Sequence, residues 1–183
     1  MRYFNSAAII GAEGLMGSYR KIHLPYLGVD RFLQHGDRPF QVFDTKVGRI
    51  GLAICYDGSI PESVRVLALD GAEIIASPMN WPEGAEPAPQ YVVNARCYEN
   101  RVNFIASNRT GCERGHRFIG RSKIVNYAAE TLAEATADHE EIIYADTDPL
   151  GAQNKRLVKD DWYVDRFRDR RPQFYQRLMK EVK

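Results

Sequence analysis

The chain opens with an apolar run, Ser6-Ala7-Ala8-Ile9-Ile10, then turn residues Gly11-Ala12-Glu13-Gly14, then a segment from Leu15 to Lys21 able to return beside it. That order predicts a β-hairpin. From Ile22 to Pro39 the pattern breaks at Pro25, Gly28, Gly36 and Pro39, so a long loop is expected, and a loop of that length inside a compact domain is more often functional than idle. Phe40 to Phe43 and Arg49 to Cys55 read as two strands joined around Lys46-Val47-Gly48. A helix is expected from Glu62 to Leu69, with Pro61 suited to its first turn, and Ala72 to Pro78 is a continuous apolar strand. Strand, helix and strand with short connections predict a right-handed crossover and a partly parallel, covered sheet.

The second half continues the alternation. Pro78 to Pro89 is irregular and Pro-rich, Gln90 to Asn100 is helix-compatible, and Val102 to Ser107 reads as another buried strand. Further strands are expected at Ser122 to Val125 and at Glu141 to Ala145. From Asp160 to Lys183 the chain is charged and aromatic, with Arg at 166, 168, 170 and 171 among Trp162, Tyr163, Phe167, Phe174 and Tyr175. This reads as a C-terminal arm that packs on a neighbouring surface. No internal repeat or low-complexity segment is present, and 1–183 reads as one domain.

Composition narrows the function classes. The 183 residues are 44% hydrophobic and 27% charged, enough for one substantial core. A net charge of +1 gives no electrostatic footprint for nucleic acid or an anionic membrane. No signal-peptide pattern and no apolar stretch of spanning length is visible, so neither nucleic acid nor membrane is an expected partner. Three cysteines, Cys55, Cys97 and Cys112, are an odd number without CxxC spacing. That argues against a disulfide framework and a metal site, and fits a reducing, cytoplasmic setting.

Among the cysteines Cys55 has a distinctive position, at the end of Ile50-Gly51-Leu52-Ala53-Ile54 and just before Tyr56-Asp57-Gly58 and Pro61. A thiol there is held on a rigid strand yet lies at its rim. Strand, sharp turn and helix resemble a nucleophile elbow, where backbone N–H groups near the helix start receive a developing oxyanion. The alternative for Cys55 is a small buried hydrophobe. Asp57 is expected to orient backbone and turn.

Two further blocks join it: Tyr19-Arg20-Lys21-Ile22-His23-Leu24-Pro25, and Asn100-Arg101-Val102-Asn103-Phe104-Ile105-Ala106-Ser107-Asn108-Arg109-Thr110-Gly111 followed by Gly120-Arg121-Ser122. With Ile54-Cys55-Tyr56-Asp57 and Ala76-Ser77-Pro78-Met79-Asn80-Trp81-Pro82, these blocks resemble the nitrilase, or carbon-nitrogen hydrolase, superfamily. The likeness runs from about Asn5 to Tyr175, and Asp169-Arg170-Arg171-Pro172-Gln173-Phe174-Tyr175 is similar to the family's closing segment.

The resemblance implies an α/β fold, a four-layer α-β-β-α sandwich, and hydrolysis of amide, carbamoyl or nitrile carbon–nitrogen bonds by a Glu, a Lys and a Cys, with no metal or cofactor. It places the nucleophile on Cys55, the cation on Lys21 and an oxyanion-binding N–H on Tyr56. An accessory acid a short way beyond the lysine falls to Asp30 or Asp37, either of which also suits a loop position. Asn80 and Trp81 either wall a substrate pocket or pack in the core, and His23 reads as structural. Glu99, Asn100 and Arg101 read as scaffold, while Cys97 and Cys112 read as inert.

The family's general-base Glu lies upstream of the hairpin that begins this chain, and Glu13, in a turn, is not a substitute for it. The chain is therefore expected to lack N-terminal strand-helix units, as a fragment, a shifted start or a shortened relative, and to expose apolar surface that favours a homodimer or larger homo-oligomer. Tyr56-Asp57 in place of Trp-Glu points to the amidase and carbamoylase branches, hence a small amide or N-carbamoyl substrate. The competing readings are a non-catalytic ligand-binding or interaction protein and a redox-sensing thiol protein.

Overall fold

A computed structural model describes residues 1–181; Val182 and Lys183, the last two residues of the predicted arm, lie outside the described residues. The predicted hairpin forms from β1 (Ser6–Gly11) and β2 (Gly14–Arg20), antiparallel, with Ser6 opposite Arg20 and a register shift at Ile9/Ile10. β3 (Val42–Thr45) and β4 (Gly48–Leu52) form a second antiparallel pair, closed through Thr45 opposite Gly48. After a 3₁₀ turn over Cys55–Ser59 comes α1 (Pro61–Leu69), then β5 (Ile74–Pro78), α2 (Val93–Asn100) and β6 (Asn103–Ser107).

The remaining elements are short. β7 (Cys112–Glu113) and β8 (His116–Arg117) make a small ribbon, and β9 (Lys123–Val125) and β10 (Thr131–Glu134) extend the main sheet. α3 (Pro149–Gln153) and the hairpin β11 (Arg156–Lys159) and β12 (Trp162–Asp165) follow. The main sheet has six strands in the order β10-β9-β6-β5-β4-β3, with β4, β5 and β6 parallel. The predicted βαβ crossover is present, and it is repeated through α2.

Two apolar layers hold this arrangement. On one face of the sheet, Val64, Leu67 and Ala68 of α1 and Val93 and Cys97 of α2 pack on Ile75, Phe104 and Val125. On the other, Tyr19 of the hairpin packs with Leu52, Ile54, Phe40 and Phe43. The order helices, sheet, hairpin gives three of the four expected layers among the described residues.

Two expectations change. Among the described residues Glu141 to Ala145 pairs with no strand; Ile142 and Tyr144 stand 78% and 82% exposed, so the apolar run there has nothing to cover. The strand expected to reach Cys55 stops pairing at Leu52, because the chain must turn into the 3₁₀ segment. β12 opens the arm and pairs with β11 just before it, and the arm packs on its own chain: Arg166 stacks 4.1 Å over Tyr98 of α2, and Arg65 of α1 lies 4.9 Å over Phe167.

The long loop is sewn to the end of β2. Gly36 N donates to Lys21 O at 2.8 Å, and Gln34 N donates to Tyr3 O at 2.9 Å. A Cβ at Gly36 would collide with the backbone of Arg20 and Lys21, which has no flexible end to give way. Gly36→Ala is therefore expected to cost about 1–3 kcal/mol, as overpacking does, read as a lower urea midpoint. An unchanged midpoint would mean that the loop is not seated there.

Candidate active site

Lys21, at the exit of β2, and Cys55, at the start of the 3₁₀ turn, line one cleft of about 370 Å³ with Asn5, Pro25, Asp30 and Asn80. The thiol is half-buried and its backbone has φ of 46°, in the left-handed region. Non-glycine residues held there are strained and collect at functional sites. The predicted sharp turn is thus real, although a 3₁₀ turn and not the helix itself follows the cysteine. Tyr56 stands in the first turn of that segment, where N–H groups lack an acceptor within the helix.

The loop supplies the partner of the lysine. Asp30 sits in a 3₁₀ turn over Gly28–Phe32, and its Oδ2 accepts a hydrogen bond from Lys21 Nζ while its Oδ1 accepts one from Asn5 Nδ2 at 2.9 Å. Lys21 is 3% exposed and Asp30 7%, so this is a buried ion pair. Asp37 goes elsewhere, to a half-exposed pair with Arg20 at 2.7 Å, where that hydrogen bond holds its carboxyl below the usual range. Of the two candidate acids only Asp30 lines the cleft. Glu13 lines a different groove, with Asp44 and Lys46.

A second buried carboxylate ties the lysine strand to the cysteine turn. Asp57, fully buried, accepts from Tyr19 Oη at 2.8 Å, Ile54 N at 2.9 Å and His23 N at 3.2 Å, with His23 Nδ1 at 2.8 Å. Tyr19 and His23 flank Lys21 by two residues on either side, and Asp57 follows Cys55 by two. One carboxyl group therefore sets the register between the two cleft residues. A carboxylate facing Nδ1 puts the His23 proton on that nitrogen, in keeping with a structural role. Burial, and then the Asp57 charge, push the Tyr19 phenol far above its usual range, so it stays a donor.

Burial is also the largest influence on Cys55 and pushes its thiol above the ordinary value. The backbone N–H of Asn80 and the Lys21 charge pull the other way, and Asp30 and Asp57 add to the rise. Asn80 is exposed at the cleft, whereas Trp81 is buried in the core and meets Cys55 from the inner side with Met79 and Phe104. The structure brings Cys55, Lys21, Asp30 and Asn80 together at the opening and places Trp81 behind them.

Arg96 is the residue that the sequence reading missed. From α2 it donates to Gly58 O and Ser59 O, both at 3.0 Å, and pairs with Glu99 at 2.8 Å, bracing the turn after Cys55. Nothing in its local sequence marks it, since its partners are backbone carbonyls 37 and 38 residues away. Glu99 O accepts from Arg65 of α1 and Asn100 Nδ2 donates to Arg96 O within α2, so these contacts tie helix to helix and not helix to sheet. Cys97 is buried, which raises its thiol, and Cys112 is exposed. Among the described residues no three His, Cys, Asp or Glu side chains are grouped to hold a metal, and no helix is long and apolar enough to cross a membrane.

The model of the carbon-nitrogen hydrolase family matches residues 1–156. The chain belongs to this family. The chain is 40% identical over 172 residues to a nitrilase of Pyrococcus abyssi, covering 94% of this chain and 63% of that protein. It is 37% identical to an N-carbamoylputrescine amidase of Arabidopsis thaliana, covering 97% of this chain and 64% of the relative. The carbon-nitrogen hydrolase of Helicobacter pylori G27 superposes on the whole chain with a TM-score of 0.86 at 31% identity, over 68% of its own length. The α/β architecture is thus of the nitrilase type, and the chain spans less than two thirds of the length of these two curated relatives.

Proposed function

We propose that Cys55 is the nucleophile of an amide-type carbon–nitrogen hydrolase, with Lys21 as its cationic partner and Asp30 as an accessory acid. The observation that carries this reading is the cleft itself: a strained, partly accessible thiol facing a buried lysine whose charge is held by Asp30.

In the reaction the Cys55 sulfur bonds to the carbonyl carbon and the carbonyl oxygen takes the negative charge. Lys21 Nζ and the Tyr56 N–H are the donors available to that oxyanion. Because burial holds the thiol high, its proton must leave as attack proceeds, which is the duty of a general base worth about 10²- to 10⁴-fold. The general-base Glu implied by the family resemblance is assigned to no residue of this chain. The C–N bond then breaks, the leaving amine takes up a proton, and water cleaves the thioester to return the thiol and release the acid. Asp57, Tyr19, His23 and Arg96 act by position alone.

Tyr56-Asp57 after the cysteine supports amide or N-carbamoyl substrates, as does the likeness to a carbamoylputrescine amidase; the likeness to a nitrilase makes nitriles the necessary comparison. The test is ammonia release from small primary amides, N-carbamoyl compounds and the matching nitriles. Release from the first two is expected, slower by about 10²- to 10⁴-fold than with a general base in place. Release from nitriles alone would overturn the substrate assignment, and tight binding of amides without release would favour a binding protein.

A further inference from the structure

The block Asn108 to Ser122 contributes nothing to the cleft lining, yet it controls what faces Cys55. Asn80 lines the cleft beside Cys55, Met79 and Trp81 line the pocket behind it, and the amides on either side of Asn80 are tied down. Met79 N donates to Ser107 O at 2.7 Å, and Trp81 N donates to Asn108 Oδ1 at 2.8 Å. The other end of the same carboxamide, Asn108 Nδ2, donates to Gly120 O at 2.7 Å. Asn108 is itself held at both backbone groups by one hydroxyl: its N donates to Ser122 Oγ at 2.9 Å, and Ser122 Oγ donates to its O at 3.1 Å. Gly120 has φ of 56°, and a Cβ there would strike Thr136 O and Ala137 O at 2.6 Å, so the corner that accepts from Asn108 is closed to other residues.

We propose that Asn108 is a positioning residue for the reaction, bridging Trp81 N–H and Gly120 C=O so that the segment between β5 and α2 keeps the Asn80 backbone at the cleft beside Cys55. Asparagine suits this place because one planar group offers an acceptor and a donor to two backbones of opposite polarity. Aspartate offers no donor to Gly120 when ionised, and leucine offers neither. The inference rests on the reading of Cys55 as nucleophile. The Asn80 backbone N–H favours the thiolate, and losing a hydrogen bond to a charged group is worth about one pH unit in the thiol's titration. The other charges that bear on Cys55 are Lys21 from β2, Asp30 from the loop turn and Asp57 from its own turn. None of them touches Asn108.

The experiment is the pH dependence of iodoacetamide alkylation at Cys55 in the full chain, followed on the Cys55 peptide because the exposed Cys112 also reacts. Asn108→Ala is expected to move the midpoint up by about one pH unit and to slow alkylation about tenfold below it. Ser122→Ala, which loosens Asn108 without removing the bridge, is expected to move it the same way by less, and carries the test if Asn108→Ala does not fold. A folded variant of either kind with the wild-type midpoint overturns the inference. A wild-type Cys55 that fails to alkylate at any pH while Cys112 does would instead overturn the nucleophile reading, a distinguishable result.

Discussion

Replacing Cys55 by alanine is expected to bring amide turnover to background, a loss on the order of 10⁴-fold or more, because the thioester has no other nucleophile from which to form. The fold should survive. Cys55 is only half-buried, alanine keeps the same backbone preference at φ 46°, and the hydrogen bonds that fix the turn run to Asp57, Gly58 and Ser59 instead. Cys55→Gly sharpens the test. Glycine relieves a left-handed φ that costs a non-glycine residue about 1–3 kcal/mol, so this variant should be no less stable than the wild type and equally inactive. Ammonia release, urea unfolding and the mass of the Cys55 peptide after treatment with a haloacetamide measure the three consequences. An alanine variant that still turns over removes Cys55 from the chemistry.

The strain at Cys55 is a good place to see what sequence can tell. The apolar run, the glycine and the proline around it announce a strand that ends sharply, and they place the thiol at the rim. They do not show that pairing stops at Leu52 or that a 3₁₀ turn intervenes, since both follow from Asp57 capturing Ile54 N and Tyr19 Oη across the fold. The hairpin β1–β2 and the crossover through α1 were legible because each is set by local alternation and turn residues. β10 was not: Thr131-Leu132-Ala133-Glu134 has little apolar character and becomes a strand only by pairing with β9. Conversely, Glu141 to Ala145 is an apolar run of strand length with no strand beside it among the described residues. α3 carries its signals, with Asp148 capping Gly151 N and Pro149 at the first position, but Gly151 weakens the pattern.

For the cleft, the residues and their order were readable, while their partners were not. Lys21 and Asp30 lie nine positions apart in the sequence, and Asp37 had an equal claim by composition. The choice between them is made by the seat of the loop on β2, with Gly36 against the strand backbone. Asn108 meets Trp81 across 27 residues, and a contact of that range leaves no periodic trace.

Lys21→Met is expected to show two losses that can be separated. The first is in rate. Removing the cation from an oxyanion site typically costs about 10²- to 10³-fold in kcat, and Cys55 alkylation should slow as well, because Lys21 is one of the two influences favouring the thiolate. The second is in stability. Lys21 and Asp30 are both buried, and taking away one partner leaves a carboxylate in the interior with only Asn5 Nδ2 as donor. Broken buried pairs cost about 3–5 kcal/mol, whereas replacing both members by uncharged groups of similar size is often neutral. The double variant Lys21→Met/Asp30→Asn should therefore recover most of the urea midpoint while turnover stays at the level of the single variant or below. If the midpoint returns and the rate returns with it, the pair is scaffolding and Lys21 has no part in the chemistry. If the rate stays down with the fold restored, the ammonium acts on the reacting carbonyl, since loss of packing can no longer explain the defect.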